Sequence, residues 1–234
     1  MTLLPAVTLP PGLSLPPDAP LLDRAFFDRD SVELAPQLLN KVLCVDDGRA
    51  GRIVEVEAYR ADDPASHTFR GPTPRNQVMF GPPGHLYVYF SYGVHWCANV
   101  VCGSIGDGAA VLLRALEPLA GQEAMQAVRP RARRAEDLCS GPGKLTQALG
   151  IGKGHNGADL LAGDRGIWLL DDGTPPPKAP VACRRIGISV AADRPWRWLV
   201  TDSSHVSRPA AKTGLSAAMS ESASTLLERP APPR

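Results

Sequence analysis

The sequence predicts a single α+β domain built on a mainly antiparallel β-sheet with helices packed against it. Three observations lead there. Short apolar runs of strand length recur along the chain, at 42–45, 52–59, 86–91, 97–102 and 109–116. Neighbouring runs are joined by short, turn-rich connections such as Gly106-Asp107-Gly108, which suit hairpins rather than parallel crossovers. Helical signals are confined to a few stretches, and 234 residues at 44% hydrophobic content can bury one sizeable core.

Residues 1–20 are rich in proline and poor in charge and read as a flexible leader; residues 209–234, rich in Ala, Ser and Pro, read as a loose tail. The compact body is therefore 21–208. Asp30 or Ser31 caps a helix running to about Asn40, with Pro36 as an alternative start because an interior proline lacks the helical N–H. Strands follow at 42–45 and 52–59. The stretch 61–83 is a loop, with Pro64, Pro72, Pro74 and the Gly81-Pro82-Pro83-Gly84 turn signal. Three strands, 86–91, 97–102 and 109–116, come next, then helices over 119–128 and 142–149. Strands at 167–170, 183–190 and 197–200 complete the body. No internal repeat is visible.

Net charge is +1, so the chain has no global basic field, and any nucleic-acid contact comes from a local patch. Five cysteines, an odd number without a Cys-x-x-Cys pair, point to reduced thiols and away from a disulfide scaffold or a zinc site. The N-terminus has no basic region followed by an unbroken apolar run, and no segment is long enough to span a membrane. The expectation is a cytoplasmic monomer without cofactor or metal.

All four tyrosines lie between positions 59 and 92. Glu57 and Tyr59, two apart on a strand, share one face, which sets a carboxylate beside an aromatic plate. Tyr87 and Tyr89 likewise share a face. Flat rings around a single acid suit a planar heterocycle, and a nucleobase is the commonest such ligand on a polymer. Burial in a cleft would raise the Glu57 pKa toward that of a general base, whereas a solvated sheet face carrying both Glu55 and Glu57 fits the same spacing. Tyr92, just before Gly93, falls at a strand end where an aromatic can wedge between bases. Arg114, in the apolar run 110–116, needs an anion: Glu57, a phosphate or a structural partner. Asn99, inside another apolar run, can read a base edge or satisfy backbone groups. Arg75-Asn76 and Ser140-Gly141-Pro142-Gly143-Lys144, at a helix start, are candidate phosphate contacts. Gly-Pro-Gly-Lys lacks the spacing of a P-loop. The arginines at 129, 131, 133 and 134 read as a solvated loop.

Six segments, taken in order, resemble the alkyladenine (3-methyladenine) DNA glycosylase family over about residues 24–208. They are IVEVEAY at 53–59, ASHTFRGPTPRNQVMF at 65–80, LYVYFSYGVHWCANV at 86–100, GDGAAVLLRALEP at 106–118, LCSGPGKLTQALGI at 138–151 and RRIGI at 184–188. The resemblance implies a curved, mainly antiparallel sheet with a protruding hairpin, and a monofunctional enzyme that excises alkylated or deaminated purines from double-stranded DNA. It implies that Glu57 activates the attacking water, which Arg114 and the backbone of Ile186 help to hold. Tyr59, His67 and Tyr89 would stack on the flipped base, and Asn99 would clash with the exocyclic amine of guanine. Tyr92 would enter the minor groove, with Val94, His95, Arg75 and Lys144 on the DNA side. His95-Trp96 stands where the family often has another aromatic pair. Two further classes fit the residues themselves: a nucleic-acid binding module without activity, and a hydrolase of free nucleosides. A wedge at Tyr92 separates a duplex enzyme from the latter.

Overall fold

The computed structural model describes residues 22–210. The leader expected at 1–20 lies outside the described residues, as does the tail expected at 209–234 except for its first two positions.

A short helix, α1 (Arg24–Phe27), is capped by Asp23, and α2 (Ser31–Leu38) opens on Asp30, whose side chain accepts from the Val32 N–H. Helix α2 starts at Ser31 as one reading expected; Pro36 lies inside it, tolerated in so short a helix, and is not its start. Strands β1 (Val42–Val45) and β2 (Ala50–Tyr59) form a hairpin. A loop with one 3₁₀ turn (Gln77–Phe80) leads to β3 (His85–Ser91), β4 (His95–Cys102) and β5 (Ala109–Ala120). Helices α3 (Gln122–Val128), α4 (Ala135–Cys139) and α5 (Pro142–Leu149) follow. Four short strands, β6 (Ala158–Asp159), β7 (Ile167–Leu170), β8 (Val181–Cys183) and β9 (Arg197–Leu199), complete the body.

The helix expected over 119–128 begins later, because β5 runs to Ala120 and Gly121 makes the turn. The strand expected over 183–190 is three residues long and ends at Cys183. Beyond it the chain is held by side chains instead of a ladder, with consequences for the site described below. Helices α1 and α4 and strand β6 have no signal in the sequence strong enough to stand apart from loop.

All strand pairs are antiparallel, in the order β6-β3-β4-β5-β2-β1-β7, with β9 also paired to β2 and β8 to β9. The Leu169 N–H donates to the Leu160 carbonyl at 3.0 Å, which brings the β6 and β7 ends together, so the curved sheet nearly closes on itself. The main core packs α2 and α5 on the sheet through Leu34, Leu38, Ile53, Leu113, Leu116, Leu145 and Leu149. Each such leucine or isoleucine contributes roughly 1.5–3 kcal/mol by leaving water.

Two bulges decide which residues reach that core. Along β2 and β5, Ile53 pairs with Leu116, Glu55 with Ala115 and Val56 with Leu113, so Val54 and Arg114 are each an extra, unpaired residue. Each bulge reverses the alternation of its own strand. Ile53 faces the core and so do Val56 and Ala58; Leu116 faces it and so do Leu113 and Val111. Without the reversal, a strand with Ile53 inside would drive Glu55 and Glu57 into the leucines. With it, Glu55, Glu57 and Tyr59 turn to the opposite face, together with Arg114. Because both strands slip at the same place, their pairing stays in phase on either side.

Candidate active site

That second face of the sheet is covered by the 60–84 loop and by the chain after Cys183, and it encloses a cavity of about 680 Å³. The volume suits a small planar ligand. Tyr59, Leu112 and Arg114 line it from β2 and β5 and Ile186 from the chain after Cys183, with Tyr87, Tyr89, Asn99 and His67 as further walls; the stretch Phe90–Gly93, His95 and Pro142 line it too.

Glu57 stands directly behind three of those residues. Its side chain is 0% exposed, which rules out the solvated-face reading. Oε1 accepts from the Ile186 N–H at 2.7 Å, and Oε2 accepts from the Tyr59 hydroxyl at 2.9 Å. Arg114 Nη1 lies 3.2 Å from the same Oε2. Burial raises the Glu57 pKa above the ordinary glutamate value, against the opposing pull of Arg114, the Ile186 N–H and the Tyr59 hydroxyl. The carboxylate is thus held by the cavity wall without itself being exposed in it.

The aromatic walls are locked by one another. Tyr87 and Tyr89 stack at 5.5 Å, and the edge of His67 meets Tyr89 at 4.4 Å. His67 Nδ1 also lies 3.2 Å from the Tyr87 hydroxyl. Burial, helped by Arg75, lowers the His67 pKa, so its ring is neutral at pH 7. Burial pushes the Tyr87 hydroxyl up to about 12 and raises those of Tyr59 and Tyr89 as well. The Tyr59 hydroxyl therefore stays a proton donor to Glu57. The loop that carries His67 is tied by Asn76, whose amide donates to the His67 and Gly71 carbonyls at 2.8 and 3.1 Å. Asn76 is buried, so of the expected phosphate pair only Arg75 faces outward. Arg75 donates to the Phe90 carbonyl at 3.1 Å and lies 5.7 Å from the Tyr89 ring centre. Asn99 satisfies a backbone group, donating to the Tyr87 carbonyl at 3.1 Å, and it also lines the cavity.

The β3–β4 hairpin carries Tyr92 at its tip. The Val94 N–H closes the turn on the Ser91 carbonyl at 2.9 Å. Both central residues have positive φ, Tyr92 at 50° and Gly93 at 68°. Gly93 adopts this freely; for Tyr92 it costs about 1–2 kcal/mol. Tyr92 is 89% exposed and Val94 76%, an apolar tip projecting into solvent. Behind them the His95 ring lies across Gly143, where any Cβ would come within 2.5 Å of it, so the hairpin base is seated on the start of α5. Lys144, next along that helix, is exposed and donates to the Ser140 hydroxyl at 3.2 Å. Of the four arginines expected in a solvated loop, those at 131, 133 and 134 are exposed and lie away from the cavity lining, whereas Arg129 is half-buried and donates to Gln147 Oε1 at 2.8 Å and to the Asp137 carbonyl at 3.3 Å.

Several residues of the site have no recognisable signal in the sequence. Asp63, wholly buried, takes a bidentate pair from Arg185, whose Nη2 contact is 3.1 Å. Arg185 also donates to the Ala58 carbonyl at 3.0 Å and lies 4.7 Å from the Tyr59 ring centre. This anchor replaces strand pairing after Cys183 and aims the next amide, that of Ile186, at Glu57. Asp62-Asp63-Pro64 reads as an exposed turn, and an arginine in a basic pair reads as surface. Arg197 and Ser207 escape for the same reason: polar residues near the end of the body, with a partner 142 or more positions away. Among the described residues, no group of three or more His, Cys, Asp or Glu is placed to hold a metal ion, and no helix is long and apolar enough to cross a membrane.

A model of the family described as methylpurine-DNA glycosylase matches residues 25–204. A protein of Burkholderia lata named "Putative 3-methyladenine DNA glycosylase" is 60% identical over 190 residues, covering 81% of this chain and 92% of the relative. Relatives carrying the same name in Burkholderia cenocepacia and Rhodopseudomonas palustris are 58% and 53% identical, covering 80% and 81% of this chain and 91% and 89% of their own. A match over most of the described body, on a sheet that buries Glu57 behind a slot of aromatic rings, places the chain in the methylpurine-DNA glycosylase family, as a DNA N-glycosylase of alkylated purines.

Proposed function

We propose that the protein excises alkylated and deaminated purines, of the 3-methyladenine and hypoxanthine type, from double-stranded DNA, acting as a cytoplasmic monomer. The glycosidic carbon is shielded inside the stack, so the nucleotide must turn out of the duplex. Tyr92 enters the minor groove and fills the vacated place, with Val94 beside it and His95, Arg75 and Lys144 toward the backbone. Its strained backbone is consistent with such a wedge, since a rigid projecting ring is kept where a glycine would be easier. The everted purine lies between Tyr59 and the pair His67–Tyr89. A purine carrying a positive charge gains from electron-rich faces, and a neutral His67 does not repel it. An amine at the purine 2-position meets Asn99, which the Tyr87 carbonyl holds in place.

Glu57 then takes a proton from water while the water oxygen bonds to the anomeric carbon and the carbon–nitrogen bond breaks toward the base. Oε2 is already engaged by Tyr59 and Arg114, whereas Oε1 meets, among the described residues, only the Ile186 N–H, so the water is received on Oε1. The negative carboxylate also stabilises the oxocarbenium character of the sugar. Among the described residues no lysine lines the cavity, so the products are free base and an abasic site with the strand intact. The observation that carries this reading is the buried Glu57 carboxylate bonded to two residues, Tyr59 and Ile186, that face the same cavity as Tyr89.

The test is single-turnover release of hypoxanthine or 3-methyladenine from a duplex, with the free nucleoside as control. Wild type should release base only from the duplex. Glu57→Gln should bind and release none, a loss of at least about a hundredfold for a positioned base. Release by Glu57→Gln at the wild-type rate removes Glu57 from its role, and equal release from free inosine removes the duplex.

A further inference from the structure

Glu55 takes no part in the chemistry above and does not line the cavity, yet it is fully buried two residues before Glu57 on β2. Its Oε1 accepts from Arg114 Nε at 3.0 Å, from Arg197 Nη1 at 2.8 Å and from the Ser207 hydroxyl at 2.8 Å. Its Oε2 accepts from the Ser207 N–H at 2.5 Å. Arg114 is consequently divided. Nε goes to Glu55, Nη1 reaches Glu57 at the longer distance of 3.2 Å, and Nη2 lies 3.4 Å from Ser207 Oγ. Two buried carboxylates thus share one arginine, and a second arginine, from β9, supports only the carboxylate that does no chemistry.

A network that merely neutralised charge would let each glutamate have its own arginine, since an unpaired buried charge is costly. The observed division instead draws Arg114 toward Glu55. The bulge at Arg114 makes this geometry, because it sets the arginine opposite both glutamates at once. We propose that Glu55 is a positioning residue for base excision: with Arg197 and Ser207 it holds Arg114 partly away from Glu57 and so fixes how strongly that arginine engages the carboxylate that activates water. The inference rests on the reading of Glu57 as the general base.

Three other groups around Glu57 stay constant in the comparison that tests this: Tyr59 on its own strand, Cys97 on β4 and Arg185 beside Ile186. Cys183 on β8 loses its 3.1 Å partner, Arg197 Nε, in Arg197→Gln, which favours its neutral thiol further. In Glu55→Gln the counter-charge that restrains Arg114 is gone. Arg114 closes on Glu57 and favours its charged form. The acidic limb of the pH–rate profile then moves down by about one pH unit, and the plateau falls because the base is weaker. In Arg197→Gln, Glu55 lacks its private cation and takes more of Arg114. The limb moves up.

The experiment measures single-turnover excision of hypoxanthine from a duplex across pH for wild type, Glu55→Gln, Arg197→Gln and Glu57→Gln, with circular dichroism and DNA binding on each. Opposite displacements of the two limbs, with lesion binding retained, are the expected result. Limbs that coincide with wild type, or that move together, overturn the proposal. So does failure of both variants to fold, which makes the network a folding element. An inactive wild type, or an active Glu57→Gln, would instead remove the underlying reading of Glu57.

Discussion

The Ile186 amide meets Glu57 Oε1 at 2.7 Å across 129 positions of sequence. An N–H aimed at a buried carboxylate has to be placed by something firm, and here that is Arg185. Its guanidinium is held by Asp63 and the Ala58 carbonyl and lies against the Tyr59 ring. One residue thus braces two of the three cavity-lining groups that engage Glu57: the Tyr59 ring directly, and the Ile186 amide through the chain.

Arg185→Met is predicted to destabilise the fold by up to about 3–5 kcal/mol, because the buried Asp63 charge then keeps only the longer contact to Arg194 Nη1 at 3.6 Å. Adding Asp63→Asn removes that charge and should recover a good part of the stability. It should not recover excision, since neither side chain then holds the segment with Ile186. Urea unfolding reads the first effect and single-turnover release the second. Wild-type excision by a stable double variant would show that the anchor is irrelevant to the site.

The raised pKa of Glu57 ties activity to stability with opposite signs. A carboxyl whose folded value is raised stabilises the fold fully at pH below its unfolded value, and that contribution is lost as pH rises through the folded value. Excision needs the ionised form, so it rises over the same interval. Glu57→Gln should therefore melt higher than wild type in mildly alkaline buffer, with the two curves converging in acid. Wild-type excision should gain with pH above the ordinary carboxylate range. Melting curves that stay parallel across pH would contradict the first half, and a flat pH–rate profile the second.

Strand runs and the pairing of Tyr87 with Tyr89 are legible in the sequence because alternation has a period of two and hairpins are local. Glu57, Tyr59 and Arg114 are legible as polar exceptions in apolar runs. The paired bulges at Val54 and Arg114 are not, although they alone decide that both glutamates turn from the leucine core. An extra residue in a ladder exists only relative to its partner strand, and β2 and β5 lie far apart in the chain. The partnerships of Asp63, Arg185, Arg197 and Ser207 are hidden for the same reason: each residue is ordinary alone, and its meaning comes from a neighbour brought by folding. The segment after Cys183 looks like a strand in sequence because Ile186 and Ile188 alternate. It leaves the ladder at Cys183: Gly187 takes a left-handed φ of 79°, outside strand geometry, and Arg185 is bonded to Asp63 and to the Ala58 and Ala191 carbonyls.

Tyr92 offers a separation of stability from function. Glycine at this position relieves the left-handed strain, worth about 1–2 kcal/mol, and adds freedom to the unfolded chain, worth about 0.5–1 kcal/mol in the other direction. Tyr92→Gly should therefore match wild type in stability or slightly exceed it. It should nevertheless bind lesion duplex more weakly and excise more slowly, because nothing fills the gap left by the base. A lesion that is already unpaired should suffer less. Loss of stability in this variant, or undiminished excision from a paired site, would count against the wedge.

Lys144 and Arg75 should behave differently from Tyr92. With a net charge of +1 the chain has no general field to attract DNA, so a few local cations carry the phosphate contacts. Replacing either by alanine should lower the slope of log K against log salt by about one, and weaken damaged and undamaged duplex alike. The Tyr92 variant should leave the slope unchanged and weaken only the damaged duplex. Arg75→Ala should in addition slow excision, since the guanidinium holds the Phe90 carbonyl and lies over Tyr89. Titrations of both duplexes at several salt concentrations distinguish these outcomes. An unchanged slope in Lys144→Ala would move the DNA path away from the start of α5.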